Sequence, residues 1–294
     1  MTTTDTTRVA SWRLLLSNPV TVVSAVVLAV VAIVGLTAQW LAPFGINDTD
    51  VPNALQSPSG AHWFGTDELG RDVFSRVLVA IQASLRVAVV SVAFAVVVGV
   101  TVGVVAGYRG GWLDAVFMRI VDVMFAFPVL LLALAVVAVL GPGVTTTILA
   151  IGIVYTPIFA RVARASTLSV RVEPFVQVSR AMGTGHMYIL GRHILPNVAG
   201  PLIVQTSLSL AFAILSEAAL SFLGLGIQPP QPSLGRMIFD SQGFVTLAWW
   251  MAVFPGAAIF VTVLAFNLIG DGLRDVLDPK QRTMIEARKS ERKQ

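Results

Sequence analysis

Charge is absent from long stretches of this chain, and that absence constrains the fold more than any motif does. Residues 20–41, 87–108 and 123–160 hold no charged side chain. An α-helix rises 1.5 Å per residue, so about 20 apolar residues cross roughly 30 Å of hydrocarbon. Residues 202–224 are apolar apart from Glu217, and residues 247–270 carry no charge. The run 123–160 is too long for one helix, and Gly141-Pro142-Gly143 cuts it with turn residues, which predicts spans over 122–140 and 144–160 joined as a hairpin. Of the 294 residues 12% are charged, about half the share of an average soluble domain. The expected fold class is all-α, a polytopic integral membrane protein with six transmembrane helices.

Arg8 and Arg13 precede the first span, as they would precede a cleaved signal. Its 22 apolar or small residues exceed the roughly 7 to 15 of a signal's apolar core, so a retained anchor is expected, with the N-terminus in the cytoplasm. Six spans starting inside place residues 1–19, 109–121, 161–201 and 271–294 in the cytoplasm. Those stretches hold sixteen of the 20 basic residues, and only Arg71, Arg76, Arg86 and Arg236 fall outside. The bias matches the positive-inside rule, so the net charge of +4 records topology and not a nucleic-acid partner. The expected organisation is a cytoplasmic tail over 1–19, an anchor over 20–41, an external segment over 42–86, a core of five spans over 87–270 containing the loop 161–201, and a basic cytoplasmic tail over 271–294.

Within the external segment, Thr66 reads as a helix N-cap, with Asp67 and Glu68 in the first turn. Leu69, Val73, Val77, Ile81 and Leu85 follow at four-residue spacing, which predicts an amphipathic helix at the membrane interface leading into span two. Gly99, Gly103 and Gly107 form a doubled G-x-x-x-G that allows a neighbouring helix close approach. The loop 161–201 is too long for a simple connection. Glu173-Pro174 starts a helix, Phe175, Val178 and Met182 line one side, and Gly183-Thr184-Gly185 ends it. Met187, Leu190 and Ile194 form a second short stretch that Pro196 should stop. Phe175, Val176 and Val178 then make an apolar ridge that either meets a partner or folds back on the chain.

Other chemistries are poorly supplied. There is no cysteine, and Lys280, Lys289 and Lys293 are not preceded by glycine, so no phosphate-binding loop is present and the chain is not expected to be an enzyme. His62, His186 and His193 are joined by no carboxylate cluster, so no metal site is expected; His62 reads as a surface aromatic. An ion-coupled carrier would need charged groups at mid-membrane, for which Glu217 is the candidate, either bonded to a neighbouring helix or lining a pathway. Asp122 reads as solvated at a boundary, and Gln205, Ser209, Asn267 and Phe127 are candidates to face a pathway.

The stretch from Glu173, Pro174, Phe175, Val176, Gln177, Val178, Ser179, Arg180, Ala181 and Met182 to Gly183, followed by Arg192-His193-Ile194-Leu195-Pro196-Asn197, resembles the EAA loop of permease subunits in bacterial ABC importers. Gly183 and Leu195-Pro196 keep that pattern's spacing; Gln177, Val178 and Ser179 replace Glu-Ala-Ala, and His193 replaces an isoleucine. Nearly the whole chain is similar to the C-type permeases of dipeptide, oligopeptide and nickel importers. The likeness is carried by Phe64-Gly65-Thr66-Asp67, Gly107-Tyr108-Arg109-Gly110-Gly111-Trp112, Glu217-Ala218-Ala219-Leu220-Ser221-Phe222, Pro229-Pro230-Gln231-Pro232-Ser233 and Asp271-Gly272-Leu273-Arg274-Asp275.

The resemblance implies a type I ABC importer permease fold in the bacterial cytoplasmic (inner) membrane, with a second homologous permease, two ABC ATPase subunits that bind the ATP, and an external substrate-binding protein. It implies no cofactor on this chain, and peptide as the substrate, with nickel or another metal chelate as the alternative. It places ATPase coupling on the loop from Phe175 to Leu195. With Gln177 in place of the EAA glutamate, the resemblance implies that the shape of the loop is kept without the ionic contact the glutamate would make with the ATPase.

Overall fold

The computed structural model describes residues 19–277. Residues 1–18 and 278–294, which hold most of the two expected tails, lie outside the described residues. Helix α1 covers Pro19–Leu41, α2 Val73–Arg109, α3 Gly111–Phe125, α4 Val129–Leu140 and α5 Val144–Val170. Helix α6 covers Pro174–Ala181, α7 His186–Ile189, α8 Leu195–Phe222, α9 Leu234–Asp240 and α10 Trp250–Leu277. No strand occurs among the described residues. The end carrying α6 is called the loop end below, and the end carrying residues 42–72 the cap end.

Lipid-soluble chains hide their small and polar residues and turn valine and leucine outward, because hydrocarbon offers no hydrophobic drive between helices. Val97 is 67% exposed and Val139 84%, whereas Ser84, Ser91, Ser209 and Glu217 are buried. The α2 glycines follow the same logic. They face α5, and a Cβ on Gly99 would fall 2.5 Å from the Thr156 carbonyl oxygen and 2.7 Å from the Phe159 Cβ, while one on Gly103 would collide with the Ala160 carbonyl. The expected close approach is therefore made, and α5 is the neighbour.

The helix expected from Thr66 leads into span two as expected, but it begins at Val73 and not at Thr66. Thr66 is fully buried; its hydroxyl donates to the Asn53 carbonyl at 2.6 Å and accepts from the Gln56 amide at 2.8 Å. Asp67 is spent on a turn, taking the Leu69 and Arg71 amides at 2.9 Å each. Asp72 caps the helix instead, accepting from the Ser75 amide and hydroxyl at 2.7 Å, and α2 runs unbroken to Arg109. Val73, Val77 and Ala80 pack in a protein core with Leu234, Met237, Trp250 and Met251, not on lipid.

The expected span over 122–140 is two helices, α3 and α4, meeting at 93°. Pro128 has no amide hydrogen and disfavours helical backbone at Phe127, which breaks the chain there. The hairpin turn after α4 is as expected, with Gly141 at φ +86 and Gly143 at φ +150. Helix α5 continues beyond residue 160 to Val170. Pro196 does not stop a helix. Residues Leu190–Ile194 form a π turn, and His186–Phe222 is helical throughout 37 residues. The widened turn makes room for the proline ring, whose clash with the carbonyl four residues back breaks an ordinary helix.

Candidate coupling loop and buried carboxylate

Glu173 is extended and Pro174 occupies the first turn of α6, where a missing amide hydrogen costs nothing. The helix closes at Gly183, whose φ of +75 favours glycine; the Gly183 amide donates to the Arg180 carbonyl at 3.0 Å and the Thr184 amide to that of Ser179 at 3.1 Å. Nothing lies within 4 Å of a Cβ built on Gly183, so conformation and not space selects it.

The three-residue ridge is split. Val176 is fully buried with Val104 and Tyr108 of α2, Ala163 of α5, and Ile189, Ile194 and Val198. Phe175 and Val178 remain 42% and 57% exposed, with Met182 beyond them. Val176 is the buried residue of this helix, so its root is inward and its tip outward. Glu173, Ala181, Arg192, Leu195 and Pro196 are also exposed.

Polar contacts fix the loop against the spans. The Tyr108 hydroxyl lies 2.9 Å from His186 Nδ1, and the Arg180 guanidinium sits 4.5 Å from the Tyr108 ring centre. Arg171 donates to the Gly107 carbonyl at 2.8 Å. The Gln177 amide donates to the Val172 carbonyl at 2.8 Å, a bond that a glutamate in the EAA pattern could not make. Ser179 donates to the Phe175 carbonyl at 2.8 Å and lies 3.3 Å from His193 Nε2. The substitutions at Gln177, Ser179 and His193 thus serve the loop internally. Tyr108, His186 and Arg171 act here without a local sequence signal, because their partners are 64 to 78 residues away.

Two ion pairs join α3 to α5 beside the loop. Asp114 takes Arg164 through two bonds of 2.5 and 2.7 Å. Asp122, expected to be solvated only, accepts from Arg161 at 2.7 Å, and that guanidinium covers the Phe125 ring at 3.8 Å.

Glu217 is fully buried. Its Oε2 accepts from Ser84 of α2 at 2.5 Å and its Oε1 from Ser221 at 2.7 Å, and the Ser221 oxygen takes the Ile227 amide at 3.1 Å. Of the two readings of Glu217, bonding to a neighbouring helix is the one the geometry supports. His62 is not a bare surface aromatic: its Nδ1 lies 2.8 Å from Asp72 Oδ1 and its ring 4.8 Å from that of Phe44. Among the described residues no group of three or more histidine or carboxylate side chains could hold a metal.

Five helices long and apolar enough to cross a membrane, with the bent pair α3 and α4 as a sixth crossing, define a multi-pass membrane protein. The chain belongs to the family described as binding-protein-dependent transport system inner membrane component, whose profile matches residues 99–283. The N-terminal TM domain of oligopeptide transport permease C matches residues 8–58. The dipeptide transport system permease protein DppC of Alkalihalophilus pseudofirmus is 43% identical over 281 residues, covering 94% of this chain and 92% of that protein. The glutathione transport system permease protein GsiD of Escherichia coli is 47% identical over 270 residues, covering 92% and 89%. An inward-facing structure of the MetNI methionine ABC transporter superposes with a TM-score of 0.58 over 69% of this chain and 96% of that chain, at 20% identity, which shows the shared fold.

Proposed function

We propose that this chain is one of two membrane subunits of an ABC importer for peptides, working with a second homologous permease, two ATPases and an external binding protein. The loop end then faces the cytoplasm with both termini, and the cap end faces outward. The single observation that carries the coupling assignment is the division of α6: Val176 roots it on α2 and α5, while Phe175, Val178 and Met182 stand free to enter a cleft on another protein. A push on α6 reaches both spans through that root. Dipeptide and glutathione permeases as relatives support a short peptide as the cargo.

The test uses the whole complex in lipid vesicles. Phe175→Asp with Val178→Asp should leave the permease folded and stop both ATPase co-purification and uptake of labelled dipeptide. Retained co-purification and uptake would remove α6 from the contact. Labelled glutathione and nickel chelates, offered in parallel, separate peptide from metal cargo; uptake without ATP, driven by an ion gradient, would replace the importer by a carrier.

A further inference from the structure

Glu217 sits where four elements meet. Ser84 brings α2 to it, and Ser221 links it to the turn after α8 through the Ile227 amide. One residue earlier, Ser216 lies 3.1 Å from the Tyr155 hydroxyl of α5. A Cβ on Gly235 would collide with the Ala218 carbonyl, and one on Gly226 with Ser221, so α9 and the turn both press on α8 at this level. Hydroxyl-to-carboxyl bonds away from water are directional and costly to leave unmade.

The opposite end of α8 is held differently. Its contacts with α2 and α5 there are apolar, through Val104, Ala163, Ile194 and Val198. Apolar contact has no preferred direction and permits sliding. The π turn at Leu190–Ile194 and the prolines Pro196 and Pro201 lie in the same stretch. Along α8 itself, about 42 Å at 1.5 Å per residue, the loop-end contacts with α2 and α5 are apolar and the cap-end ones hydrogen-bonded, while the Tyr108–His186 bond holds α7 on the far side of the π turn.

We infer that Glu217 is a positioning residue, the centre of a hydrogen-bonded clamp that makes the cap-end parts of α2, α5 and α8 turn as one body when α6 is displaced. The inference rests on the coupling reading above. Without the clamp, movement entering at α6 is lost as sliding between helices and ATP hydrolysis continues without transport.

Because this chain has no cysteine, Leu69→Cys and Leu223→Cys, both exposed, give a spin-label pair when the permease is labelled before it is assembled with its partners. With the clamp intact the label separation is the same with and without ATP. Glu217→Gln should behave identically, since its amide still accepts from Ser221 and donates to Ser84. Glu217→Ala should broaden the separation, make it respond to ATP, and lower peptide uptake per ATP by about tenfold or more, because both carboxyl hydrogen bonds are lost and each is worth up to about that factor. Where Glu217→Ala does not assemble, Ser84→Ala is read by the same two measures. An unchanged separation and uptake ratio in the alanine variant, an alanine-like glutamine variant, or an ATP-dependent separation in the otherwise unsubstituted protein overturns the clamp. Absence of peptide uptake while the label separations follow this pattern overturns the proposed cargo and leaves the clamp standing.

Discussion

Tyr108 and His186 meet at 2.9 Å across the loop end, so the last turn of a long span holds the first residue of α7. The same ring carries Arg180 on its face and helps to seat Val176. One side chain therefore connects α2 to both halves of the proposed coupling loop. Tyr108→Phe should keep the packing and lose about 0.5–1.5 kcal/mol. Tyr108→Ala should cost about 3–5 kcal/mol through the cavity it leaves, by analogy with other large-to-small aromatic changes. Thermal unfolding in detergent reads both, and equal losses would show that the hydroxyl contact carries the effect.

Gly103 should tolerate no side chain. Its Cβ would strike the Ala160 carbonyl, which belongs to a rigid helix and cannot step aside. Gly103→Leu is expected to separate α2 from α5 and cost more than the roughly 1–3 kcal/mol of ordinary overpacking. Gly256→Ala is the control: its Cβ meets nothing within 4 Å in α10 and should be neutral or stabilising by about 0.5–1 kcal/mol. Expression level and melting temperature should fall in Gly103→Leu and stay at or above the parent's in Gly256→Ala.

Val176 and Phe175 are neighbours with opposite exposure. Val176→Asp should destabilise the permease itself, because it buries an unpaired carboxylate. Phe175→Asp should leave the melting temperature within a degree or so of the parent, as exposed substitutions generally do. A Val176→Asp protein with parental stability would contradict the buried root.

Glu68 gives the cap end a pH dependence. Burial pushes its carboxyl above the usual range, the neighbouring Asp67 and the more distant Asp240 add to that, and Arg71 and a backbone contact oppose it. The folded protein thus keeps this proton to higher pH than the unfolded chain. The stability it contributes is present below the ordinary carboxylate value and is lost as pH rises through the folded value. Glu68→Gln retains an acceptor for Arg71, which now bonds Oε1 at 3.0 Å, and removes the cost of a partly buried charge. Its melting temperature should exceed the parent's at about pH 7 and converge with it near about pH 4. A gap that widened on acidification would reverse the sign.

The spans, the glycine turn at 141–143 and the limits of α6 at Pro174 and Gly183 were legible because each depends on local backbone preference or on a length of uncharged chain. The Gly99, Gly103 and Gly107 face was legible as a contact, though not its partner. The start of α2 was not, since Thr66 and Asp72 both suit an N-cap and only the fold places Asn53 and Gln56 beside Thr66. The proline at 128 was visible, yet the apolar run around it hid the bend between α3 and α4.

What the sequence by itself determined is that this chain lives in a membrane, how its apolar runs divide, and where the short helix α6 begins and ends. Tertiary structure alone decided that Val176 points in while Phe175 and Val178 point out, and that Ser84 and Ser221 satisfy Glu217. The physical reason is that lipid and protein interior are both apolar. Hydrophobic periodicity cannot tell a lipid-facing valine from a buried one, and a buried polar group is explained only by the distant side chain that meets it.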